Sequence, residues 1–117
     1  YGTKKNEDNS GRALSYGFLT PVATATMNFA PNYYNTLVTV SSLTLSPTYS
    51  FVATNGYAAD NLTIVTSATT QQTVTLAGAV VVTGAASTYT IGAGKTSYIS
   101  FIFSGGKYIE RGRAIQP

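Results

Sequence analysis

Apolar and polar residues alternate with a period of two along most of this chain. From residue 21 onward, Ala23, Ala25, Met27 and Phe29 point one way while Thr24, Thr26 and Asn28 point the other, as a strand buried on one face requires. Pro31 ends that run. Residues 37–45 form a second candidate, in which the apolar register passes from Val38 and Val40 to Leu43 and Leu45 across Ser41-Ser42. One extra residue at that point predicts a β-bulge or bend. Tyr49, Phe51 and Ala53 then alternate with Ser50 and Val52 up to Asn55-Gly56. That dipeptide tolerates positive φ at both positions, so a hairpin or loop is expected after it.

Leu62 with Ile64, and Val74 with Leu76, mark two further short strands joined by a Thr/Gln-rich connection. Residues 79–83, bracketed by Gly78 and Gly84, form a continuous apolar run, which predicts a strand buried on both faces. Tyr89 and Ile91 open the last section, whose clearest strand is residues 97–104: Ile99, Phe101 and Phe103 share one face, Tyr98, Ser100 and Ile102 the other. Gly105-Gly106 predicts a two-residue hairpin returning through residues 107–111. The alternation and turn spacing give about eight short strands and no helical period. The expected fold class is therefore all-β, an antiparallel β-sandwich or jelly-roll-like domain over residues 17–117. Residues 1–16 are polar and aperiodic, with Asn9-Ser10-Gly11 as a break, and read as an extended N-terminal arm.

A chain of 117 residues is long enough to bury a core without staples, and with no cysteine it has none. Charged residues make up only 9%, against about a quarter in ordinary domains, and their placement is uneven. Lys4, Lys5, Glu7, Asp8 and Arg12 lie in the first segment, and Lys95, Lys107, Glu110, Arg111 and Arg113 in the last; between Arg12 and Lys95 the one charge is Asp60. Either neighbouring subunits cover much of this uncharged surface, or a Ser/Thr-coated sheet is solvated directly. The arm, with Lys4, Lys5, Arg12 and Tyr16, is the expected protein-contact segment, because it has no face of its own to bury.

No stretch reaches the roughly 18 apolar residues of a membrane span, so no membrane partner is expected. The basic residues form no stripe interleaved with aromatics, so no nucleic-acid partner is expected either. The first residue is Tyr1 and the single methionine is Met27, so the original start of the chain is expected to have been lost through processing, trimming or truncation.

Catalytic chemistry has little to work with. There is no histidine, the residue most used for general acid–base catalysis. The acids of the body are Asp60 and Glu110. Asp60 beside Asn61 reads as turn chemistry and Glu110 beside Arg111 as a surface strand end. No catalytic residue, metal site or cofactor is expected. Gly94-Lys95-Thr96 ends like a phosphate-binding loop, but Tyr89 stands where that loop needs glycine and a strand is predicted to follow where it needs a helix. Asn61-Leu62-Thr63 matches a glycosylation sequon, a chance match being common in so Thr-rich a chain. Tyr33 and Tyr34, after Pro31-Asn32, fall in a predicted loop, where the pair can stack on a sugar, anchor a protein interface or simply pack the loop.

The C-terminal half carries Thr73-Val74-Thr75-Leu76, a small-residue stretch, Tyr89-Thr90-Ile91-Gly92-Ala93-Gly94-Lys95, the aromatic strand from Tyr98 to Phe103 and Gly105-Gly106-Lys107-Tyr108. This succession resembles bacteriophage virion surface β-modules, the capsid decoration and head or tail fibre proteins. The likeness covers about a third of the chain and is one of style. It lacks the Trp that often follows the terminal hairpin; Tyr108 is nearest. The resemblance implies a non-enzymatic structural protein on a virion surface, assembled as a homotrimer with capsid or fibre proteins as partners. The alternative it leaves open is a fibre or adhesin domain that binds a host-surface glycan.

Overall fold

The computed structural model describes residues 13–82 and 86–117. Ten strands are present there: β1 (Ala13–Leu19), β2 (Thr26–Phe29), β3 (Tyr33–Leu43), β4 (Thr48–Phe51), β5 (Asn61–Ala68), β6 (Gln72–Gly78), β7 (Val80–Val81), β8 (Thr88–Ile91), β9 (Thr96–Ser104) and β10 (Lys107–Ile115). No helix occurs among the described residues. The strands form a six-stranded sheet, ordered β1-β3-β5-β9-β10-β7, and a four-stranded sheet, ordered β2-β4-β6-β8.

The all-β, two-sheet expectation holds, but the antiparallel one does not. From β1 to β9 successive strands alternate between the sheets, so β1–β2, β3–β4 and β5–β6 each make one coil. Coil stacks on coil through parallel pairing of β1 with β3, β3 with β5, β2 with β4 and β4 with β6. A parallel pair needs a long crossover between its members, and here the crossover is the strand contributed to the opposite sheet. The arrangement is β-solenoid-like rather than a sandwich of hairpins or a jelly-roll. Direction reverses only in the C-terminal part, where β8 runs antiparallel to β6, β9 to β5, and β9 to β10.

Alternation fixes which side chains fill the space between the sheets. From the larger sheet come Val38, Val40, Leu62, Ile64, Ile99, Phe101, Phe103 and Tyr108, and from the smaller Met27, Phe29, Tyr49, Phe51, Val74, Leu76, Tyr89 and Ile91, all buried. The rings form a connected cluster: Phe29 meets Tyr49 edge-on at 5.1 Å between centroids, Phe51 lies 4.9 Å from Phe101, and Phe103 4.8 Å from Tyr108. Tilted and edge-on pairs of this kind add attraction beyond the area they bury.

Several local expectations meet their structures. The predicted bulge is present, with the β3–β5 register shifting between Val40 and Leu43, Ser42 left-handed at φ 59° and its N–H donating to Ser67 Oγ at 3.1 Å. Gly105-Gly106 makes the hairpin between β9 and β10, with φ of 61° and 78°, the mirror-image turn that matches strand twist. Gly92 to Lys95 turns a corner between the sheets, with the Lys95 N–H donating to Gly92 O at 3.0 Å, and β9 follows it.

Asn55-Gly56 lies within the expected loop, which passes from β4 in one sheet to β5 in the other, and Gly56 is needed because a Cβ there would meet the Phe103 ring at 2.5 Å. Others are corrected. The run after Gly78 forms a two-residue edge strand with Val81 half-exposed, not a strand buried on both faces; residues 83–85 lie outside the described residues. Residues 13–16, assigned to the arm, belong to β1 and pair with β3.

A buried polar link joins the sheets. Tyr49 Oη and Thr66 Oγ1 share a hydrogen bond of 2.8 Å, and Tyr89 is buried on the same side of the core as Tyr49. Burial raises the phenols of both, that of Tyr89 to about 12, whereas an unfolded chain ionises its tyrosines near the ordinary value of about 10. A group whose folded pKa is raised stabilises the fold fully below its unfolded pKa and loses that contribution as pH rises. Melting temperature should therefore be level up to about pH 10 and fall between about pH 10 and 12. Tyr49→Phe should lessen the fall; a melting curve unchanged to pH 12 would contradict the burial of these hydroxyls.

Candidate functional site

The outer face of the six-stranded sheet collects the side chains that alternation turns away from the core. On β1 these are Tyr16 and Phe18, which remain 63% and 69% exposed and whose rings stack at 5.9 Å with 23° between planes. Parallel register sets Tyr16 beside Asn35 and Phe18 beside Leu37, then Asn35 beside Asn61 and Leu37 beside Thr63. Antiparallel register sets Thr63 beside Ser100, with Tyr98 on the same face and 47% exposed.

Two hollows lie on this face. The apolar one, about 320 Å³, is bounded by Tyr16, Phe18 and Leu37; the polar one, about 470 Å³, reaches Ser100 and Arg111. Asn35, Asn61, Thr63 and Tyr98 border both, so they form one groove with an aromatic end and a cationic end. Its floor is a chain of side-chain hydrogen bonds: Arg111 Nη1 donates to Asn61 Oδ1 at 2.9 Å, and Asn61 Nδ2 donates to Asn35 Oδ1 at 3.0 Å.

A bulge in β10 creates the cationic end. Glu110 pairs with Phe101 and Gly112 with Ser100, leaving Arg111 as the extra residue. A bulge re-aims the side chains around it, here in two ways. Arg111 turns out over the groove, and Arg113, which three residues along a regular strand would face away from Glu110, comes round to the same side. Arg113 Nε donates to Glu110 Oε2 and Nη2 to Oε1, both at 2.6 Å. Nη2 also donates to Ala86 O at 3.0 Å, and the guanidinium lies 5.6 Å from the Tyr89 ring centre. Hydrogen bonding to Glu110 raises the pKa of Arg113 further.

Glu110 is thus a buried structural carboxylate, not the surface strand end expected from its neighbour Arg111. Asp60 is also buried, and its Oδ2 accepts the Tyr57 N–H at 2.9 Å, the turn chemistry expected of it. Among the described residues no three acidic, histidine or cysteine side chains group together as metal ligands would.

The remaining candidates are distributed as follows. Lys4, Lys5 and Arg12 lie outside the described residues. Tyr16 is on β1, at the groove. Tyr33 and Tyr34 are not in a loop: they open β3, both half-buried, and the Tyr33 ring covers Gly17, where a Cβ would meet it at 2.2 Å. Sequence reasoning missed Phe18, Asn35, Tyr98 and Arg111 as surface partners. A signal existed for Asn35 and Asn61: each begins a strand repeat, Asn35-Thr36-Leu37-Val38 and Asn61-Leu62-Thr63-Ile64, and coil stacking puts one asparagine beside the other.

No protein-family model matches the chain, and no curated protein is significantly similar to it.

Proposed function

We propose that this chain is a non-enzymatic structural module of a virion surface, of the capsid-decoration or fibre type, that works by assembly with neighbouring subunits. The observation that carries the assembly reading is the asymmetry of the solenoid's ends. β1 pairs with β3 alone among the described strands, and around it Tyr16, Phe18, Leu19 and Val22 are 40–86% exposed. Stacked-coil proteins need polar terminal caps to stay soluble alone, and charged residues commonly guard an open edge. On the opposite side, where β7 pairs only with Tyr108 and Ile109 of β10, β10 carries the exposed Lys107 and Arg111; the large exposed side chains described around β1 are apolar or aromatic. A strand of a neighbouring subunit added to β1 would pair that open edge and shield Leu19 and Val22 beside it. A threefold assembly and the virion location rest on the resemblance of residues 72–110 to phage surface modules.

Size measurement by light scattering tests the assembly. The parent chain should be oligomeric, and Leu19→Lys with Val22→Asp should shift it to monomer while circular dichroism stays that of a sheet. A parent that is monomeric at high concentration, or an oligomer indifferent to these changes, would refute the reading.

A second reading, a fibre or adhesin domain that binds a glycan, is favoured by the groove. Its stacked rings, amides and hydroxyls are the groups that hold a sugar ring, one face apolar and the rim polar.

A further inference from the structure

The groove runs from an aromatic end at Tyr16 and Phe18 to a cationic end at Arg111. We infer that it takes an acidic saccharide, a chain containing uronate-type sugars, with sugar faces on Tyr16 and Tyr98 and a carboxylate on Arg111. This inference rests on the glycan-binding reading and narrows it to a ligand class.

Charge complementarity is the first support. Arg111 is exposed at the groove's polar end, and among the described residues no carboxylate borders either hollow. The two acids among the described residues are both buried, Asp60 accepting a backbone N–H and Glu110 gripped by Arg113. Among the described residues, therefore, no acidic side chain borders the groove that Arg111 faces.

Preorganisation is the second. The bulge aims Arg111 and the bond from its Nη1 to Asn61 holds one edge of the guanidinium. A planar fork held in place binds a carboxylate through paired N–H donors, which a mobile lysine does not do.

Size is the third. From β1 to β10 the groove crosses four strand spacings of about 4.8 Å, roughly 19 Å in all. That length suits several sugar rings in line, with Thr63 and Ser100 hydroxyls between the aromatic and cationic ends. One arginine is too little for a polyphosphate backbone, whose binding draws on many neutralised phosphates.

Calorimetric titration of the whole chain with a galacturonate tetrasaccharide and with the neutral galactose tetrasaccharide tests the inference. The acidic chain should bind at least tenfold more tightly, with the advantage shrinking as salt is added. Arg111→Gln should remove that advantage, Arg111→Lys should restore part of it, and Tyr98→Ala should weaken both ligands. Circular dichroism of each variant confirms that it is folded. Equal affinity for the two sugars, or acidic binding that survives Arg111→Gln, overturns the acidic preference while leaving glycan binding standing. Binding of neither sugar defeats the glycan reading and this inference together. An oligothymidylate that binds more tightly than the galacturonate overturns it in favour of a nucleic acid.

Discussion

Phe51→Ala is expected to cost about 3–5 kcal/mol of folding free energy, the usual range for removing a fully enclosed phenylalanine. Phe51 is 2% exposed. Its ring reaches across from the smaller sheet to Phe101 at 4.9 Å and Tyr108 at 5.9 Å, and along its own sheet to Phe29 at 6.1 Å. Truncation removes buried area and three ring contacts at once, and the flanking strands are too firmly paired to close over the gap. Phe51→Leu retains most of the volume and should cost about 1–2 kcal/mol. Urea unfolding of the three proteins measures both; an alanine variant within 1 kcal/mol of the parent would mean that the sheets do not meet through this ring.

Glu110→Gln is expected to cost about 2–3 kcal/mol. Breaking a buried ion pair commonly costs about 3–5 kcal/mol, because the surviving charge is left without its partner. Glu110's side chain is 1% exposed and Arg113's 19%, so water still reaches the arginine and softens the loss. Removing both charges in Glu110→Gln with Arg113→Met should recover much of the stability, since the penalty belongs to the orphaned partner. Denaturant midpoints of the two single variants and the double close this cycle. Strict additivity would show that the two residues do not act as a pair.

The strands and the faces they bury were legible because alternation is a local signal. Ile99, Phe101 and Phe103 could be assigned to the core from their spacing, and all three are there. The Gly105-Gly106 hairpin was legible for the same reason, since the turn joins the strands it pairs. Topology was not. The alternation in β3 says that Val38 and Val40 face inward but not that β5, a coil later, lies alongside in parallel. Nothing within either strand distinguishes a partner reached by a turn from one reached through the other sheet. The candidate site was hidden by a related effect. Glu110 beside Arg111 read as the surface end of a regular strand, and a single unpaired residue in β10 sends Arg111 to the groove and brings Arg113 to Glu110. Tyr33-Tyr34 misled in the opposite sense: Pro31-Asn32 suggested a loop, yet Tyr33 is held as strand by the space Gly17 leaves for its ring.

The reversal of direction at β8 and β9 also bears on how the chain acquires its structure as it is synthesised. The tight hairpin joining β9 to β10 is the pairing closest along the backbone, and hairpins of that kind close in about 1–10 μs. The parallel pairs must first bring together segments separated by a whole coil, a slower search because loop closure precedes any reward. Translation, however, delivers the slow-pairing coils first and the fast hairpin last. Until β9 arrives to pair with β5 and β10 with β9, the emerging β5 keeps an open strand edge and the part of the core that β9 and β10 complete stays uncovered. A chain stalled before residue 96 would present that edge to any neighbour, so truncated products should aggregate where the full-length chain does not.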